Sequence, residues 1–107
     1  MTETITHGSR NVFADLGMPD AMERQTKTRL ALALNDLLKE RGLKQMETAK
    51  LLGVPQPKVS ALANYRLDGF SVEKLMSFLT ALNQDVEIMI RPRPQSGIGS
   101  IAVLSVR

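Results

Sequence analysis

Apolar positions recur along this chain with two different periods, and the change of period divides it. From Asp20 to Gly42, Leu30, Leu34, Leu37 and Leu38 fall at i, i+4, i+7 and i+8, with Arg29, Asp36, Lys39 and Glu40 left mainly to the wet side. That is the stripe of an amphipathic helix, and Asp20 followed by Glu23 gives it an acidic first turn, an Asp variant of the capping box. Two shorter helices are predicted between Leu43 and Asn64: Ala49 and Leu52 share an inward face in the first, and Val59, Leu62 and Ala63 form the i, i+3, i+4 stripe of the second. Beyond a turn at Arg66-Leu67-Asp68-Gly69, Ser71 is placed to cap a further helix, with Phe70 and Leu75 as a hydrophobic staple. Its apolar face is Val72, Leu75, Met76, Leu79 and Leu82, with Phe78 also read as core, and Asn83 is a left-handed terminator.

The period then falls to two. Residues 85–91, DVEIMIR, alternate with Val86, Ile88 and Ile90 on one face, which predicts a β-strand. A lone strand leaves its edge N–H and C=O groups unpaired. Two partners are available, residues 101–106 folding back across 92–100 or the same strand of a second subunit. The second is the expected main pairing, because a two-fold dimer also sets two copies of the helix pair against two half-sites. At the other end, a polar tail precedes the apolar segment 11–18, NVFADLGM, in which Phe13 and Leu16 are read as plugging the core. The domain plan is therefore a tail and short apolar segment over 1–18, a helical domain over 19–84 and a β extension over 85–107.

The two short helices form an angled corner. Gly53 accepts the left-handed backbone at which a helix commonly ends, and the chain resumes helix only after Val54 and Pro55. With Val59 inward, projection at 100° per residue leaves Pro57, Ser60, Ala61 and Asn64 outward, with Gln56 and Lys58 on the flanks. Small and amide-bearing side chains of this kind suit close approach to base edges.

Charge sharpens that reading. The chain of 107 residues carries a formal +3. Between Lys39 and Arg66, however, Lys39, Arg41, Lys44, Lys50, Lys58 and Arg66 stand against only Glu40 and Glu47, a net +4. All of the net positive charge lies in and beside the corner, as expected of a surface that meets phosphates. Composition removes other classes. Without cysteine there is no disulfide or thiolate metal site, and His7 alone makes no histidine cluster, so no metal or cofactor is expected. The opening MTETITHGSR lacks the apolar run of a signal peptide, and no apolar stretch approaches the roughly 18 residues that span a bilayer, so a cytoplasmic protein is expected. No nucleophile lies beside a histidine, no glycine loop is shaped to cradle phosphate, and Asp68 before Gly69 is turn chemistry, so no enzyme is expected.

The order Gln45, Glu47, Ala49, Leu51-Leu52-Gly53-Val54, Gln56, Val59-Ser60, Leu62 resembles the helix-turn-helix of the lambda-repressor-like (Xre) family of bacterial DNA-binding proteins. The resemblance implies a mainly α, lambda-repressor-like domain in which the small residue at Ala49 lets the helices touch, Gly53 makes the turn and Val59 plugs the core between them. It also implies that Gln45 and Gln56 open the two helices and meet at the DNA, one near a phosphate and one near a base. Lys44 and Pro55 depart from the pattern, standing where the family usually has a Ser or Thr cap, and each lost cap costs roughly 0.5 to 2 kcal/mol. The residues expected at DNA are Gln45, Lys50, Gln56, Pro57, Lys58, Ser60, Ala61, Asn64 and Arg66, with Gln56, Ser60 and Asn64 reading bases and Gln45, Lys50 and Lys58 near phosphates.

Taken from 11 to 94, with the Arg66-to-Ser71 turn and the DVEIMIRPRP segment, the chain also resembles the shorter HigA-type antitoxins of toxin–antitoxin pairs. That implies a dimeric repressor of its own operon that neutralises a RelE-like ribonuclease toxin. A stand-alone Xre-type regulator without a toxin, and a protein-interaction module that does not bind DNA, are the other readings, since a fold alone does not establish function.

Overall fold

The computed structural model describes residues 20–106, and four helices carry the fold. They are α1 (Asp20–Arg41), α2 (Gln45–Leu52), α3 (Gln56–Ala63) and α4 (Val72–Ala81). The segment expected at 11–18, with Val12, Phe13 and Leu16, lies outside the described residues, as does His7.

The predicted stripe of α1 is the one that is buried: Leu30, Ala31, Leu34 and Leu38 face inward and Leu37 packs beside them. Against them α4 sets Leu75, Phe78 and Leu79, with Leu82 just past its end. Leu34, Leu62, Leu75 and Leu82 are almost wholly removed from water, each contributing about 1.5 to 3 kcal/mol by burial. Phe70 closes the core edge-on to Phe78, ring centroids 6.0 Å apart at 78°, a favoured geometry for an aromatic pair.

The helix ends follow their sequence signals. Ser71 accepts the Lys74 N–H at 3.0 Å to cap α4, and Phe70 and Leu75 share the buried cluster. Asn83 adopts φ 66° after α4, and the Gln84 N–H then reaches back to the Leu79 carbonyl at 3.0 Å. The Arg41 guanidinium donates to the Leu82 carbonyl, joining the last turn of α1 to that of α4. At α2 the missing side-chain cap at Lys44 is offset in part by Glu47, whose Oε1 accepts the Lys44 N–H at 2.8 Å.

The C-terminal expectation is not met within this chain. No strand is formed among the described residues, and no backbone hydrogen bond joins 85–106 to any other of them. Val86, Ile88 and Ile90 are exposed, the latter two at 73 %. Alternation supplies the pattern of a strand but not its ladder, and 101–106 does not fold back to provide one; from that segment only Val103 packs against the core. Among the described residues no helix is long and apolar enough to cross a membrane.

Candidate nucleic-acid interface

The corner between α2 and α3 is built by its turn residues. Gly53 sits at φ 71°, and its N–H and that of Val54 both bond the Ala49 carbonyl, at 2.9 and 3.1 Å. These bonds satisfy the end of α2 and redirect the chain, which any residue with a Cβ would do only under strain. Pro55 then stands in extended backbone as the first flanking residue of α3 and Pro57 lies in its first turn. Their fixed φ suits a helix start, so the helix forms without a side-chain cap. Val59 and Leu62 bury its inner side, and α1 braces its far end through Asn35, whose Nδ2 donates to the Leu62 carbonyl at 3.1 Å.

The rotation of α3 differs from the sequence projection. Ala63, expected inward, is exposed, and Ala61, expected outward, is half-buried against the core. The turn before α4 folds over the flank that carries Lys58. Lys58 Nζ donates to the Gly69 carbonyl at 2.8 Å and lies 4.8 Å from the centre of the Phe70 ring. Gly69 leaves room for this, since a Cβ there would stand 2.8 Å from the ammonium. Lys58 thus tethers α3 to the following turn while its ammonium keeps its charge, and a cation over an aromatic face adds about 0.5 to 1 kcal/mol.

What remains outward is a single face: Gln56, Pro57, Ser60, Ala63 and Asn64, at i, i+1, i+4, i+7 and i+8, with Ser60 half-buried. Asn64 is partly committed, because its Nδ2 donates to the Ser60 carbonyl at 2.9 Å, which closes the helix. A bidentate reading of adenine by Asn64 would have to break that bond, so the amide free to read a base edge is that of Gln56. Gln45, Lys50 and Arg66 are exposed. Tyr65 was not foreseen: it turns left-handed at φ 58° directly after α3, a conformation for which an aromatic residue gives no sequence signal. Among the described residues no group of three or more His, Asp or Glu is gathered as metal ligands.

Two short helices set at a glycine turn, the first anchored by Thr48 and Leu52 and the second presenting a polar face, define a helix-turn-helix domain. The chain belongs to the family of such domains, whose profile matches residues 12–91. It is also similar to a solved structure described as an XRE-family transcriptional regulator, with 56 % identity over 82 % of this chain and 100 % of that one, and a TM-score of 0.78. No curated protein matches the chain.

Proposed function

We propose that this protein is a sequence-specific DNA-binding transcriptional regulator, acting as a repressor, with α3 in the major groove. The observation that carries this reading is the exposed face Gln56-Pro57-Ser60-Ala63-Asn64 on a braced helix, together with exposed Lys50 and Arg66. Membership of the helix-turn-helix family and the likeness to an XRE-family regulator support it.

In its finer form the repressor is a homodimer, residues 85–91 of two copies pairing as a two-fold ladder. The support is the alternation of Val86, Ile88 and Ile90 on a segment that has no backbone hydrogen-bond partner among the described residues. The protein is also an antitoxin that silences its own operon, a reading supported by the resemblance of its turn and C-terminal segment to HigA-type proteins. A small ribonuclease encoded beside it is expected to co-purify with the full chain. An isolated gene, with nothing retained on co-expression, would leave a stand-alone regulator.

The test of DNA binding is titration against a duplex from upstream of the gene and a scrambled duplex of equal length, at several salt concentrations. Gln56→Ala is expected to weaken the upstream duplex by about 1 to 3 kcal/mol and the scrambled one little, the pattern of a base contact. Lys58→Ala is expected to weaken both and to flatten the salt dependence by up to about one unit, because a neutral carbonyl and a ring leave its ammonium charged. Equal losses for Gln56→Ala on the two duplexes would remove it from base reading.

A further inference from the structure

A cleft of about 110 Å³ opens between the first half of α1 and the turn after α3, lined by Arg24, Lys27, Thr28, Tyr65, Leu67 and Asp68. We propose that this cleft is a second DNA contact, seating a backbone phosphate of the strand that walls the groove occupied by α3. The proposal rests on the DNA-binding reading above and extends the interface to a helix outside the corner.

Position is the first argument. Tyr65 both lines the cleft and forms the turn that ends α3, two residues beyond the exposed Ala63. At 1.5 Å per residue α3 spans roughly 12 Å, and the major groove is about 12 Å wide. A recognition helix whose N-terminal residues reach base edges therefore brings its far end to the groove wall, where the phosphates run.

Chemistry is the second. Arg24 and Lys27 stand at i, i+3 on one face of α1 and bring two cations to the cleft. Lys27 pairs with Glu23 at 3.5 Å, longer than a strong charge-assisted hydrogen bond, and an ammonium has three N–H donors to distribute. Tyr65 adds a phenolic donor. The Thr28 hydroxyl donates to the Arg24 carbonyl at 2.9 Å, so it helps shape the wall rather than hold the anion.

The third argument is what the start of α3 lacks. Helix N-termini commonly hold phosphate through free N–H groups. Here Pro55 and Pro57 have none, the Lys58 N–H bonds the Pro55 carbonyl at 2.9 Å, and the Lys58 ammonium is turned to Gly69. The start of α3 thus offers at most the Gln56 N–H, so side-chain cations carry more of the phosphate anchoring, and Arg24 and Lys27 add to those of the corner. Asp68 in the same cleft opposes an anion and sets how tightly it is held.

The full chain is titrated against the upstream and scrambled duplexes across a salt series. Arg24→Ala with Lys27→Ala is expected to reduce the slope of log affinity against log salt by about 0.9 for each phosphate contact given up, equally on both duplexes. Asp68→Asn is expected to tighten binding to both, a gain that a poorly folded variant cannot imitate. A wild-type protein that binds with normal salt dependence while neither variant changes it would overturn the cleft and leave α3 as the reader. A wild type that shows no salt-dependent binding to any duplex would overturn the DNA-binding reading, and the cleft with it.

Discussion

Leu62→Ala is expected to lower the free energy of unfolding by about 2 to 5 kcal/mol and to remove DNA binding at temperatures where the wild type is fully folded. Leu62 is 1 % exposed, and it is the point at which α3 meets both the core and α1, through its side chain and through its carbonyl. Truncation leaves a cavity in the buried cluster, with little slack to fill it. A small domain has only about 5 to 15 kcal/mol of net stability, so a loss of this size is a large part of the whole. Leu104→Ala is the control: this leucine is 85 % exposed, and its truncation is expected to change stability by less than about 0.5 kcal/mol. Urea unfolding of the three proteins checks the difference. Equal midpoints for Leu62→Ala and the wild type would mean that α3 is not anchored through this residue.

The contrast between α1 and α3 shows what a one-dimensional pattern can and cannot convey. In α1 three buried leucines, with Leu37 beside them, define the inner side, because large apolar groups dominate the energy and tolerate no other rotation. Gly53, Ser71 and Asn83 were equally legible, since each answers a local backbone requirement that only a few residue types meet. In α3 the deciding residues are alanines. Ala61 and Ala63 carry so little burial energy that periodicity does not fix which of them faces inward, and the helix is held instead by contacts such as that of Lys58 with Gly69 and Phe70. That contact lies eleven residues away in sequence and leaves no periodic trace. The pairing of Arg24 and Lys27 with the turn at Tyr65 is still more remote, and charge counted by segment assigned those two cations no role. The strand is a different kind of case: alternation reports which side chains can share a face, whereas a ladder needs a second backbone that the described residues do not supply.

A proline at Ile88 is expected to convert the proposed dimer to monomer and to reduce affinity for a two-half-site duplex by about 10²- to 10⁴-fold, the factor that linked binding of a second module provides. In the single chain Ile88 is 73 % exposed, and no backbone hydrogen bond joins it to another described residue. The substitution therefore removes nothing from the folded subunit, and the helical domain should keep its stability. Between two subunits it would remove a ladder donor and force φ away from the extended range. Successive residues direct their N–H groups to opposite edges, so Met89→Pro is made alongside, and at least one of the pair must strike the ladder. The wild type should sediment as a dimer at micromolar concentration, with a melting temperature that rises with concentration, as it does when association stabilises the native state. The proline variants should sediment as monomers with a melting temperature independent of concentration, while retaining α3-dependent binding to a single half-site. Loss of half-site binding as well would place Ile88 in the folding of the subunit, and a wild type that is monomeric at that concentration would end the dimer proposal.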